Sequence, residues 1–187
     1  MTMPASARPI LLIGLRGSGK STLGRRLSEA LELPFIDLDK RTIRRLGLAS
    51  VAEAFEKVGE AGFRDAELAA LTESLGATAV IALGGGTPAA PAARAAIESA
   101  RQFGARVIWT DAPDEVLLQR IAGDGNRPPL TDLDPRSEIA SLREARQRTY
   151  RGLADLRIDT EAFSLDGAIR AVTLALADET GPARPAD

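Results

Sequence analysis

Residues 14–21 read Gly14-Leu15-Arg16-Gly17-Ser18-Gly19-Lys20-Ser21, directly behind the apolar run Pro9-Ile10-Leu11-Leu12-Ile13 and ahead of Thr22-Leu23-Gly24-Arg25-Arg26-Leu27. The apolar run has the character of a buried strand, and the following segment that of an amphipathic helix. A glycine-rich turn between a strand and a helix N-terminus, ending Gly-Lys-Ser, is the pattern of a phosphate-binding P-loop. Its glycines let backbone N–H groups curl around a polyphosphate, and the helix terminus adds partial positive charge. Lys20 is then the residue that reaches the β- and γ-phosphates, and the Ser21 hydroxyl a ligand of Mg²⁺. Gly17, Ser18, Gly19, Lys20, Ser21 and Thr22 form the expected nucleotide-binding stretch, so the chain is expected to bind a nucleoside triphosphate.

The composition narrows what can be done with that nucleotide. A chain of 187 residues suits one domain with a sizeable core. A net charge of −2 argues against a nucleic-acid partner. The 24 basic residues divide into 21 arginines and 3 lysines, which makes Lys20 one of few. Without cysteine or histidine, acid–base chemistry falls to carboxylates, lysine, tyrosine or water. Residues 1–8 hold no apolar core of signal-peptide length and no stretch approaches a membrane span, and a cytoplasmic protein is expected.

Apolar runs recur at Ile10–Ile13, Pro34–Ile36, Ala79–Leu83, Arg106–Trp109 and Leu156–Ile158, separated by amphipathic stretches near 20–31, 50–75, 90–101, 113–122, 136–150 and 165–177. Strands alternating with helices predict a parallel sheet covered on both faces, with ligands beyond the carboxyl ends of the strands. Residues 40–75 exceed what a crossover helix needs and predict a small helical insert. Residues 123–136 are dense in Gly, Pro and Asp and predict a mobile loop. The expected organisation is a single domain over residues 1–178, with the insert at 38–70, a lid at 121–136 and a disordered tail at 179–187.

Functional residue types follow the apolar runs. Asp37-Leu38-Asp39 comes after the second run; in extended chain both carboxylates share a face, one able to hold Mg²⁺ through water and the other to accept a proton. Equally, Asp39 reads as the cap of the next helix. Asp111, ahead of Ala112-Pro113, reads as a cap for the helix near Pro113. Arg64 and Glu67 lie three apart on a helix, either as an oriented guanidinium for a substrate carboxylate or as a surface ion pair. Gly84-Gly85-Gly86 either lets backbone approach a ligand closely or forms a plain turn. Arg127, stiffened by Pro128 and Pro129, can arrive with lid closure to neutralise a transferring phosphoryl group. Arg143, Arg146, Arg148 and Arg151 crowd one helix, with Arg146 and Tyr150 on a common face.

In this order the residues resemble the shikimate kinase family of P-loop, nucleoside-monophosphate-kinase-like enzymes: Gly14–Thr22, Asp37/Asp39, Phe63-Arg64/Glu67, Gly84–Gly86, Arg127-Pro128-Pro129-Leu130 and Arg146/Tyr150, spanning roughly residues 9–177. The resemblance implies a three-layer α/β/α fold on a five-stranded parallel sheet, with a helical substrate-binding insert and a mobile lid. It implies ATP-dependent phosphorylation of the shikimate 3-hydroxyl, in chorismate and aromatic amino-acid biosynthesis, by a cytoplasmic monomer. It further implies Asp39 at the acceptor hydroxyl, Arg64 and Arg146 on the substrate carboxylate, and Gly84, Gly85 and Gly86 along the ring. Ser21 and Asp37 would serve Mg²⁺, Lys20 and Arg127 the phosphoryl group, and Arg120 the adenine. The family often has a proline where this chain has Arg148; register favours Arg146 over Arg148 as the substrate-facing arginine. Some members carry a basic residue near the adenine, and Glu161-Ala162-Phe163-Ser164 offers none. Two other readings are a kinase of another small hydroxy acid such as gluconate, and a catalytically silent ligand sensor.

Overall fold

The structure, a computed structural model, describes residues 8–122 and 133–178. Five parallel strands run β1 (Ile10–Ile13), β2 (Phe35–Asp37), β3 (Val80–Ala82), β4 (Arg106–Asp111) and β5 (Leu156–Asp159), in the sheet order β2-β3-β1-β4-β5. The helices are α1 (Lys20–Ala30), α2 (Leu38–Leu46), α3 (Val51–Leu75), α4 (Pro91–Gln102), α5 (Asp114–Ala122), α6 (Pro135–Leu153) and α7 (Leu165–Asp178). The expected lid falls largely on residues 123–132, so Arg127 lies outside the described residues, as does the tail at 179–187. No helix among the described residues is long and apolar enough to cross a membrane.

The central strand explains the layering. In a strand, successive side chains point to opposite faces. Ile10 and Leu12 of β1 pack with Leu23 and Leu27 of α1 and Ala168 and Val172 of α7. Leu11 and Ile13 pack on the other side with Leu71 of α3, Ile97 of α4, Leu117 of α5 and Tyr150 and Leu153 of α6. A strand buried on both faces reads as a continuous apolar run, which is why Ile10-Leu11-Leu12-Ile13 shows no alternation. Because β3 and β4 flank β1, the chain leaves the middle of the sheet in opposite directions. This places a crevice at the carboxyl ends of β1, β3 and β4, where such sheets bind ligands.

The stretch between β2 and β3 holds α2 and α3, packed against each other. α2 stops at Gly47, in the left-handed region with φ 69°. Ser50 caps α3 by accepting from Glu53 N–H, while the Glu53 carboxylate accepts from Ala49 N–H, a reciprocal arrangement close to a capping box. The amphipathic segment from residue 50 to 75 is broken at Gly59, where φ 67° and ψ 177° leave the helical region. Only glycine adopts that backbone without strain.

Gly24 lets α1 lie against the sheet. A β-carbon there would stand 2.5 Å from Phe35 Cε2 and 2.9 Å from Leu12 Cδ1. The variant Gly24→Val should be destabilised by about 2–3 kcal/mol from overpacking, since valine recovers only a few tenths in helix propensity. Equilibrium denaturant unfolding measures this; an unchanged midpoint would contradict the packing account.

Candidate active site

The P-loop is seated on the end of β4. Ser18, fully buried, shares a hydrogen bond of 2.8 Å with the Thr110 hydroxyl, which also donates to the Ile13 carbonyl at 3.2 Å. A β-carbon on Gly14 would collide with the Thr110 carbonyl, so that approach needs glycine. Gly17 and Gly19 bend the loop with φ 79° and 89°, and α1 begins at Lys20. The helix N-terminus therefore carries no side-chain cap, leaving its first amide groups for a ligand. The Lys20 ammonium donates to the carbonyls of Gly14 and Leu15, each at 2.9 Å, which folds it back over the loop.

Two sequence expectations are corrected here. The extended pair Asp37/Asp39 does not exist, because β2 ends at Asp37 and α2 starts at Leu38. The cap is Asp37, whose carboxylate accepts from Lys40 N–H at 3.2 Å, and Asp39 sits in the first turn of the helix. Both aspartates nevertheless line the same cavity. Asp37 Oδ2 also accepts from the Ser21 hydroxyl at 3.4 Å. Asp111, buried at the end of β4, accepts from the Ala112 N–H at 3.0 Å, ahead of α5, and pairs with Arg143 at 2.9 Å and with Arg157 at 2.9 Å. A buried carboxylate has to be paired and hydrogen-bonded, and the two arginines supply the charge.

The glycine triplet brings three distant side chains together. A β-carbon on Gly84 would lie 2.5 Å from Asp39 Oδ1, one on Gly85 3.4 Å from an Arg146 guanidinium nitrogen, and one on Gly86 2.6 Å from an Arg64 guanidinium nitrogen. Asp39 from α2, Arg64 from α3 and Arg146 from α6 thus converge on one bare stretch of backbone. Arg64 is oriented from behind: Glu67, 1% exposed, accepts from its guanidinium at 2.7 Å and from the Thr87 hydroxyl at 2.6 Å. On α6, Arg146 is partly buried and Arg148 exposed, so it is Arg146 that meets the glycines. One turn on, Tyr150 is 1% exposed and donates its hydroxyl to the Gly85 carbonyl at 2.5 Å. Burial pushes the phenol up to about 12, against the opposing influence of Arg146.

A cavity of about 530 Å³ runs from the P-loop to Gly85, lined by Lys20, Ser21, Thr22, Asp37 and Asp39. Its far end is closed by Arg120, Thr160, Phe163 and Leu165. Arg120 donates to the Gly17 carbonyl at 3.3 Å and to the Thr160 hydroxyl at 2.8 Å, tying the P-loop to the loop after β5. Asp159 holds that loop by accepting from the Glu161 and Ala162 amides. The Ala162 bond foremost, then that from Glu161, holds its carboxyl below the ordinary value. Arg16 and Phe163 line the cavity too, and the sequence reading assigned neither a role. Arg16 was legible as the one charged residue inside the loop ahead of Lys20. Phe163 carried no signal, since its place depends on how β5 meets the P-loop.

Geometry and family agree. The family model for shikimate kinase matches residues 16–176. A shikimate kinase of Rhodopirellula baltica is 41% identical over 179 residues, covering 93% of each chain. The chain belongs to the shikimate kinase family. Another member, from Geobacter sulfurreducens, is 38% identical over 171 residues, covering 90% of this chain and 91% of its own. Among solved structures, the shikimate kinase from Acinetobacter baumannii in complex with shikimate superposes with a TM-score of 0.82 at 32% identity, over 94% of this chain and 99% of that one. The five-stranded parallel sheet with helices on both faces is the architecture of that family.

In this family member the glycine triplet carries a sharp test. Alanine at Gly84 would place its methyl against Asp39 Oδ1 at 2.5 Å, Glu67 Oε1 at 2.9 Å and Thr87 Oγ1 at 2.9 Å. A crystal structure of the Gly84→Ala variant should show the Asp39 carboxylate displaced by ~1 Å, with at least ~10²-fold lower kcat/KM from so small a misplacement. Wild-type turnover in that variant would separate Asp39 from the chemistry.

Proposed function

We infer that this protein is a shikimate kinase, transferring the γ-phosphoryl group of ATP to the 3-hydroxyl of shikimate in aromatic amino-acid biosynthesis. What carries the reading is the convergence of one carboxylate and two guanidinium groups on the glycine triplet, beside a P-loop in the same crevice. Shikimate is a small polyhydroxy acid. Its hydroxyls call for a carboxylate, and its own carboxylate calls for the two-pronged donors of arginine.

In the proposed arrangement the triphosphate lies along the amides of Gly17, Ser18, Gly19, Lys20, Ser21 and Thr22, with the base against the wall formed by Arg120, Thr160, Phe163 and Leu165. Arg64 and Arg146 clamp the carboxylate, and the bare backbone of Gly84–Gly86 lets the ring approach. Asp39 accepts the proton of the 3-hydroxyl as its oxygen bonds to the γ-phosphorus and the bond from that phosphorus to the β,γ-bridging oxygen breaks, releasing ADP. Lys20 and Arg127 stabilise the charge on the transferring group. Ser21 and Asp37 offer hard oxygen donors at the edge of the phosphate cradle, the chemistry Mg²⁺ prefers. Ser21 and Asp37 would hold the ion, which would supply neutralisation of phosphate charge. We also propose that the enzyme acts as a cytoplasmic monomer on small molecules alone, consistent with its need for ATP and its net charge of −2.

Purified protein with ATP and Mg²⁺ should release ADP only when shikimate is added; equal release without it, or with gluconate in its place, would falsify the substrate assignment. Lys20→Ala should lower kcat by at least ~10²-fold, and wild-type turnover would remove Lys20 from the phosphoryl-transfer step. Arg64→Ala should act chiefly on the KM for shikimate, by ~2–5 kcal/mol or at least ~30-fold. An unchanged KM would take Arg64 out of the site.

A further inference from the structure

Between the two substrate-clamping elements sits a buried phenol that the phosphoryl-transfer scheme does not use. Tyr150 stands one turn after Arg146 on α6, so the two side chains share a helix face. Its ring is locked in the core against Trp109, with centroids 6.0 Å apart and planes tilted by 55°. Its hydroxyl donates to the Gly85 carbonyl at 2.5 Å. A phenol oxygen donates once and accepts through two lone pairs, so the proton is committed to Gly85 and the lone pairs remain for a cation. The neighbouring cation is Arg146, one helical turn back on the same face. Its guanidinium also stands 3.4 Å from where a β-carbon on Gly85 would be.

We propose that the Tyr150 hydroxyl is a positioning residue for the substrate acid, fixing at once the aim of the Arg146 guanidinium and the orientation of the Gly85–Gly86 peptide. The inference rests on the shikimate kinase reading above. The second effect follows from peptide planarity: with the Gly85 carbonyl drawn toward Tyr150, the Gly86 N–H must point the opposite way. The Gly84 and Gly86 carbonyls are held by the amides of Thr87 and Ala89, and the Gly85 carbonyl between them is held by the hydroxyl that Tyr150 donates from the core. The bond suits that task because burial keeps the phenol protonated far above neutral pH. Tyr150 does not touch the reacting atoms in this account; it acts through Arg146 and the Gly86 amide.

The test is Tyr150→Phe, which deletes one oxygen and leaves the ring packed. With wild-type enzyme confirmed to turn over shikimate, the variant should raise the KM for shikimate about tenfold. The KM for ATP should stay within about twofold and kcat within about threefold, since the phosphate cradle is untouched. In an Arg146→Ala background the same change should cost less than about threefold, because residues acting through one another are not additive. A purely structural role predicts a different pattern, with both KM values and the melting temperature moving together, and that result overturns the inference. So does an unchanged shikimate KM, or a full tenfold factor in the Arg146→Ala background. Absence of shikimate turnover in the wild type would instead sink the functional reading on which this rests.

Discussion

A β-carbon on Gly84 or Gly86 would enter space filled by Asp39 or Arg64, and one on Gly85 would touch Arg146. That steric constraint organises the substrate half of the molecule. The side chains come from three helices, two of which, α2 and α3, already pack on each other, and Asp39 and Arg64 stand where the bare backbone of the β3 exit leaves them room. At Gly84 and Gly86 close packing leaves no slack for even one methyl group. Removing three side chains therefore creates a recess whose walls are charged, on a scaffold otherwise packed with Leu, Ile, Val and Ala.

Charge in such a recess has to be held in place, and the structure does this from the interior outward. Glu67 holds Arg64 and is itself satisfied by Thr87. Tyr150 anchors the glycine loop beside Arg146. Asp111 performs a similar service for the neighbouring elements, drawing Arg143 of α6 and Arg157 of β5 onto the end of β4, while Arg143 also reaches Asp114 of α5 at 2.5 Å. Buried ion pairs of this kind add little net stability, because desolvation offsets their attraction. Their contribution is geometric: a paired guanidinium points in one direction.

Much of the fold was legible, and for a common reason. The five strands lie close to the apolar runs: the central β1, β3 and β4 are buried on both faces and so nearly apolar throughout, while the edge strands β2 and β5 are only partly buried. The P-loop was legible because its chemistry is local: turn, amides, lysine and hydroxyl all fall within eight consecutive residues. Errors arose where neighbouring elements competed. Asp37-Leu38-Asp39 looked like extended chain, yet Asp37 accepting from Lys40 N–H starts a helix one residue after the strand ends. Asp111 looked like a cap because its partners, Arg143 and Arg157, stand 32 and 46 residues away. Phe163 left no trace, since nothing local says that the loop after β5 returns to the P-loop through Arg120 and Thr160.

By itself the sequence determined a nucleotide-binding α/β chain and supplied, in family order, the residue types of a phosphoryl transfer to a small acid. Periodicity and short motifs are encoded locally, so they survive in a linear reading. Only the tertiary structure decided which arginine of the late helix meets the glycines, which aspartate ends up as a cap, and what stands behind each charged group. Those outcomes depend on helices separated by dozens of residues being pressed onto one sheet edge, where excluded volume and charge compensation choose among alternatives that are equivalent along the chain.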